Sequence, residues 1–541
     1  MSSSAQVVRE GNCPSCGAPV EFTVGSARIL VCGYCNTVVA CEGTALHAEG
    51  RVAELAETQT PFRVGLEGRH SGVGFTIVGH LQRDYGDGVW DEWYLSFADG
   101  REGWLSESEG SLHLLYPRGV EAKLRLDRLR PGQQATYAGR RVVVEEVRRA
   151  QLVSAQGQLP SDLEHGSTVA VDATGPGGVF ITFDFGNRLE DPEVFVGRPL
   201  PLEALGIPKS ELVPVKAKRV KLDAATCPKC GGALDFKSPD STKRVGCPYC
   251  GALLDVGAGK LSFLMQLPDP KRDPVLPLGS KGKLGGVEWL VIGWMQRSTT
   301  VDGVNYPWHE YLLWASGVGF TFLMDSNGHW THLKPVPAGE VRVNIGSAAY
   351  YGGTRYKAFQ HVTAVTETVR GEFYWKVKAG DTAEATEYVA PPESINVDAT
   401  IDEVSYTHGT YLQPEEVREA FRIKQAMPVP QGIAPAQPDP KHDAMNRSLA
   451  WLVGYSVLAL VIFTLMNAVV PNARVVNETI FLRANPLAPV AADASDPERV
   501  HFTPSFTITR ATNAEVTYAA SHLDNEWLGL QFDLISESGE V

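Results

Sequence analysis

Eight of the nine cysteines fall into two sets with nearly the same internal spacing. Cys13, Cys16, Cys32 and Cys35 read C-x2-C-x15-C-x2-C, and Cys227, Cys230, Cys247 and Cys250 read C-x2-C-x16-C-x2-C. Each tetrapeptide turn aims two thiolates at one centre, and a hairpin of about fifteen residues brings the second pair opposite to complete a tetrahedron. The pattern predicts two zinc ribbons, at 10–45 and 225–258, with two structural Zn(II) ions as cofactors. Units this short fall below the ~40 residues at which a domain needs a metal or disulfides, so the ion replaces a core.

CPYCG at 247–251 read alone is a thiol-exchange tetrapeptide. A redox pair normally opens a helix within a βαβ pattern, whereas Cys250 is followed by GALLDVGAG. Thiol exchange would leave Cys247 and Cys250 far from Cys227 and Cys230. Cys41, outside both sets, is expected to pack as a small apolar residue.

The chain repeats itself. Cys13 and Cys16 recur 214 positions on as Cys227 and Cys230, and Gly65, Gly79, Gln82 and Arg83 recur as Gly279, Gly293, Gln296 and Arg297. WDEWYL (90–95) corresponds to WHEYLL (308–313) after a four-residue insertion, and YAGRR (137–141) to YGGTR (351–355) at the original offset. Glycine and proline punctuate many short Val, Ile, Tyr, Phe and Trp runs, which predicts strands and turns. The expected architecture is mainly β and multidomain: each ribbon is followed by a β-barrel-like module, at 58–206 and 270–425. A linker at 207–224 joins the copies, and a helix over 414–425 ends the second. The copies read as a fused dimer with the ribbons as rigid attachments.

With its WxEWxL…DGxxGWLxExxG run, this arrangement resembles an uncharacterised bacterial family known as a domain of unknown function. The resemblance covers about residues 10–425 and rests on Trp90, Glu92, Trp93, Leu95, Asp99, Gly100, Gly103, Trp104, Leu105 and Gly110. In the second copy Ser316 stands for Asp99 and Phe322 for Trp104. The resemblance implies an architecture and carries no activity.

If WDEWYL is a strand, Trp90, Glu92 and Tyr94 share one face and Asp91, Trp93 and Leu95 the other, the second being suited to the core. Trp90 with Glu92, and Trp308 with Glu310, are therefore candidate binding residues. The simpler alternative is a solvent-facing acid beside a tryptophan that covers a barrel end. His329 and His332 point to opposite faces of a strand and read as surface and packing histidines. The sequence holds no Gly-rich phosphate loop, HExxH helix or GxSxG elbow, so catalysis has no nucleophile and base to rest on. An enzyme or enzyme subunit using Glu92 and Glu310 is the alternative reading; it requires a pocket around each glutamate.

The stretch LAWLVGYSVLALVIFTLMNAVV, 449–470, carries no charge and is long enough as a helix, about 33 Å, to cross a bilayer. A stiff Pro-rich linker, 426–448, precedes it. Flanking positive charges tie, Lys441 and Arg447 against Arg474 and Arg483. The N-terminus has no secretory-signal pattern, and thiolate ribbons belong in a reducing compartment; together these place 1–447 in the cytoplasm and the tail outside. TIFLR, SFTITR, EVTYAA and LGLQFDLI in the tail, 472–541, read as strands of a small sandwich, one that needs another chain or further residues to complete it. Net charge of −14 repels phosphate backbones, and the basic cluster Lys216, Lys218, Arg219 and Lys221 reads as a solvated linker. Nucleic acid is thus a poor partner. The expected partners are the membrane and other membrane-associated proteins, in a binding or assembly platform serving envelope homeostasis.

Overall fold

The computed structural model describes residues 9–539 apart from 43–44, 57, 59, 87, 109–110, 162, 164–165, 214–225, 238–241, 258–259, 317, 440, 470–472, 482–499, 509–512 and 525–527. Gly110 and the basic cluster at 216–221 lie outside the described residues. Strand accounts for 49% and helix for 9%, so the mainly-β expectation holds.

Each repeated module closes into an eight-stranded antiparallel barrel. The first consists of β1 (Val73–Asp84), β2 (Val89–Phe97), β3 (Glu102–Ser108), β4 (Ser111–Val120), β5 (Arg140–Leu159), β6 (Ser167–Gly175), β7 (Val179–Gly186) and β8 (Glu193–Leu200). Its ring runs β1-β2-β3-β4-β8-β7-β6-β5, and β5 returns to pair with β1. The second repeats this order with β9 (Val287–Val301), β10 (Val304–Ala315), β11 (Gly319–Ser326), β12 (His329–Val336), β13 (Thr354–Phe373), β14 (Thr382–Ala390), β15 (Glu393–Ala399) and β16 (Val404–Leu412), closed by β13 on β9. Closure leaves no unpaired edge within either ring.

β5 and β13 are 20 residues long because each pairs both with barrel strands and with a strand of its ribbon. At Gly157, β5 pairs with Gly79 of β1 on one side and with Val31 of the first ribbon on the other. Gly371 of β13 sits likewise between Gly293 and Gly246. Both residues hold positive φ, and a Cβ on either would run into the carbonyl of Val78 or Ile292. Only glycine lets three strands meet so closely. The ribbons are therefore continuous with the barrel sheets, which makes the attachment rigid.

The two barrels pack on each other. Val143 of β5 joins Ala338, Val341, Tyr356, Ile395 and Tyr406 of the second module in one apolar cluster. Arg141 donates to the carbonyls of Gly339 (2.8 Å) and Val341 (3.3 Å), and Glu145 accepts from the amide of Ala338 (2.5 Å). The Gly339 amide donates to the Thr174 hydroxyl (2.8 Å), with the glycine pressed against the Thr174–Gly175 backbone. A side chain there has no space. Gly339→Val is expected to open this interface, at roughly 1–3 kcal/mol for overpacking. Hydrogen exchange at Gly339 should accelerate while the exchange of each barrel's interior strands stays unchanged.

The helix after β16 runs only from Pro414 to Ala420, shorter than expected, because Arg422 turns to positive φ. Val417 and Phe421 still bury against Trp289, Tyr311 and Trp330. The Pro-rich segment is not a free spacer: Gln431 donates to the Asn327 carbonyl (2.9 Å), and its own carbonyl faces His329 Nε2 at 3.3 Å. His329 and His332 are both buried, so the surface reading is corrected.

Residues 441–541 form a separate unit. Its helix, His442–Val469, begins seven residues before the expected span, and 444–469 is long and apolar enough to cross a membrane. The sandwich expected for the tail does not form among the described residues. Phe481, Phe502, Tyr518 and Phe532 are exposed and no ladder joins their segments. Alternation marks a chain that could be a strand, but an isolated extended segment has neither hydrogen-bond partners nor a second layer to hold it.

Candidate metal centres and barrel lumens

The four C-x2-C turns fold alike. Each first cysteine accepts at its carbonyl from the residue four positions on, Gly17, Asn36, Gly231 or Gly251, at 2.8–3.0 Å. Its amide donates to the residue after that, Ala18, Thr37, Gly232 or Ala252, at 2.7–2.9 Å. All four knuckle residues hold positive φ, which glycine adopts freely and asparagine tolerates. Tight turns of this kind direct both thiols of a pair inward.

The sulfurs converge. Cys13 and Cys35 Sγ lie 3.8 Å apart, Cys16 and Cys32 3.7 Å, Cys227 and Cys250 3.8 Å, and Cys230 and Cys247 3.9 Å. A disulfide needs about 2.05 Å. A tetrahedron with metal–sulfur bonds of roughly 2.3 Å has edges of about 3.8 Å. Both sets therefore fit a four-coordinate ion, and in both the first and third cysteines are buried while the second is exposed. Thiol exchange across Cys247 and Cys250 required the other pair to be distant, and it is not. Cys41 stands apart, packed at the edge of the first ribbon's cluster with Arg9 Nη1 3.3 Å from its sulfur.

Within the first barrel, Leu81 and Arg83 of β1, Trp104 of β3, Leu152 of β5, Asp184 of β7 and Glu193 of β8 line one cavity of about 90 Å³. Residues from five strands around the ring meet only in the lumen. Register then puts Trp90, Glu92 and Tyr94 inside as well, since Arg83, Leu81 and Gly79 are their cross-strand partners. The lumen is polar. Trp90 Nε1 donates to Glu92 (3.0 Å), Arg83 Nε pairs with the other oxygen of Glu92 (3.1 Å), and Arg148 meets Asp172 beneath Trp90.

The second barrel repeats the constellation. Trp308 Nε1 donates to Glu310 (2.7 Å), and Arg297 pairs with Glu310 (3.1 Å) and with Asp398 of β15 (2.8 Å). Asp398 lies 214 positions after Asp184, three strand intervals around the ring from Arg297. Trp and Glu were legible as candidates, and the structure shows the glutamates engaged by arginine and indole rather than facing solvent. No local motif marks Arg83, Arg297, Asp184 or Asp398 as site residues; the 214-residue offset pairs them, and only the ring brings them to the glutamates.

The opposite face is covered. Trp93, Leu95 and Leu105 lie under Phe62, Leu66 and Leu205. Next to them runs a polar chain, buried at His80, Gln82 and Asp91 and half-buried at Thr60 and Glu107, in which Asp91 contacts His80 Nε2 (2.6 Å) and Gln82 (3.0 Å), while Thr60 donates to Glu107 (2.7 Å). Asp91 thus interrupts the apolar face expected for it. Burial, reinforced by the Asp91 charge, pushes Glu107 up to about 7. A folded-state value above the unfolded one holds a proton that is lost as pH rises, so the native state loses stability between about pH 4.5 and 7. Glu107→Gln should gain on the wild type across that window, by up to about 3 kcal/mol. Amide exchange in β2 and β3, variant against wild type at pH 5 and at pH 8, checks the sign; an equal difference at both would exclude the buried proton.

No curated protein and no solved structure matches this chain. The family model described as Domain of unknown function (DUF4178) matches residues 63–202 and 277–414, just over half of the sequence. Both matched stretches coincide with the barrels and leave the cysteine clusters outside. The chain therefore belongs to the DUF4178 family, of which it carries two copies, each extended at its N-terminal side by a four-cysteine ribbon.

Proposed function

We propose that this is a membrane-anchored protein whose two zinc ribbons brace a pair of barrels into a platform for assembling other membrane-associated proteins, in envelope homeostasis. The observation that carries it is the weld at Gly157 and Gly371. Each metal site is stitched by strand pairing into a barrel, and the barrels share a cluster, so four small folds form one rigid body. Rigid, duplicated surfaces on a chain that also carries a bare apolar helix suit holding partners at a bilayer better than turnover does. Zinc is assigned because four thiolates at tetrahedral spacing form the donor set of structural zinc. Bound zinc supplies folding free energy here, and each ligand thiolate must stay reduced and deprotonated. That requirement supports a cytoplasmic side for 1–447 and the opposite side for the C-terminal tail.

Affinity capture of the full chain from membranes, with cross-linking and mass spectrometry, tests the platform. Specific partners cross-linked to the barrel surfaces are the expected result. Extraction of the chain alone, with turnover of a small molecule that is lost on changing Glu92 or Glu310, would replace it with the enzyme reading.

A further inference from the structure

The two copies differ sharply at one place outside the lumen. In the second barrel, Tyr356 of β13 is buried, its hydroxyl donates to Glu393 (2.7 Å), and His408 lies 3.5 Å from the same carboxylate. Tyr351 and Tyr356 both have ring contacts with His408. The wall between β13, β15 and β16 is thereby filled. Register identifies the matching positions in the first barrel. Tyr356 pairs with Ala349 as Val142 pairs with Ala135, and Ile395 pairs with His408 as Ile181 pairs with Val196. Glu393, two residues before Ile395, answers to Val179. A tyrosine, a glutamate and a histidine are replaced by three valines.

The result is a cavity of about 330 Å³, whose lining includes Val142, Val179, Ile181 and Val196. This is the lower end of the size at which pockets take small organic ligands. Its charge has also reversed. The lining holds Arg118 and Arg140 where the second copy has Val336 and Thr354, and it holds no acid. Arg141 lines it too, but its guanidinium is spent on the carbonyls of Gly339 and Val341. Glu121, outside the lining, acts on Tyr137 at the rim together with Arg118 and offsets part of that field. Burying an apolar body against the valines while leaving an anion at two arginines would satisfy both halves of the pocket.

We propose that the first barrel binds an amphiphilic carboxylate, a ring or short alkyl chain with one anionic head, in the space that Tyr356 and Glu393 fill in the second barrel. The ligand's apolar body replaces the tyrosine ring, and its carboxylate turns outward to Arg118 and Arg140. The second module, already filled by its own side chains, does not bind it.

The test is calorimetric titration of the full chain in lipid nanodiscs, against empty nanodiscs, with 4-phenylbutyrate, octanoate and 4-phenylbutylamine. One saturable site per chain for a carboxylate is expected, and no comparable site for the amine. Tighter binding of 4-phenylbutyrate assigns an aromatic ligand, and tighter binding of octanoate an aliphatic one. Val142→Tyr with Val179→Glu, which copies the filled module, should abolish binding, while Arg118→Gln with Arg140→Gln should weaken it by about tenfold or more. An unchanged melting transition and metal content show that these variants fold. Undiminished binding by the filled variant, equal binding of the amine, or no carboxylate binding at about 10 mM would overturn the proposal.

Discussion

Cys247→Ser is expected to halve the metal content, from two ions per chain to one, and to unfold the second ribbon. Apart from Leu253, which packs with Ile292, Met295, Leu312 and Phe373 of the barrel, little else holds that ribbon together. Its own buried cluster is Cys227, Leu234, Val245, Cys247, Ala252 and Leu254, two of which belong to the cysteine set itself. Structural zinc supplies roughly 10–16 kcal/mol in peptide models, far more than so small a cluster can. Damage should spread along the weld. Arg244–Gly246 pairs with Gly371–Phe373, so amide exchange over 371–373 should rise with loss of the ion, while β14 and β15, which pair only within the barrel, stay protected. Cys32→Ser should remove the other ion with milder consequences. The first ribbon shares Phe22, Val24, Ile29 and Val39 with Leu81, Tyr94 and Leu159 of its barrel, a larger apolar contact that should hold after the ion is lost. Cys41→Ser is the control and should keep both ions. Elemental analysis beside hydrogen exchange reads all three; two ions retained in Cys247→Ser would mean that the ligand set is wrong.

The cysteine sets were legible because metal ligation is a local property of short turns, and the barrel modules because a duplication exposes its own register. Closure was not legible. It depends on β5 returning to β1 across more than fifty residues of intervening chain, and alternation along either strand is indifferent to that pairing. The recurrence of Gly79 as Gly293 was visible without its cause, which lies in their partners Gly157 and Gly371. The Trp-Glu pairs were visible as a pattern, whereas their arginines needed cross-strand register, and Asp398 needed the ring. The tail shows the converse failure. Its runs alternate as strands do, yet pattern alone supplies no partner, and Phe481 and Phe502 remain exposed. His329 reads as a surface or packing histidine from alternation alone; Tyr411 of β16 and the Pro-rich segment folding back to Gln431 cover it.

Arg297→Met should destabilise the second barrel far more than Arg83→Met destabilises the first. Both arginines pair with the glutamate beside the tryptophan, but Arg83 donates to Thr168 where Arg297 holds Asp398, and they differ in exposure. Arg297 and Glu310 side chains are 9% and 10% exposed, against 17% and 25% for Arg83 and Glu92. Removing one member of a buried pair leaves the other charge without compensation, at about 3–5 kcal/mol, and here Asp398 loses its partner as well. In the first barrel water reaches Glu92 and offsets the loss, for a cost of about 1–2 kcal/mol. Glu310→Gln should be mild, because the amide oxygen still accepts from Trp308 and Arg297 keeps Asp398. Adding Glu310→Gln to Arg297→Met should then recover stability, since the stranded carboxylate is gone. The chain holds several domains and will not unfold in one step, so the readout is amide exchange in β9 and β10 against β1 and β2. Equal effects in the two barrels, or a double variant worse than Arg297→Met, would mean that the lumen is hydrated in both and that these pairs contribute little.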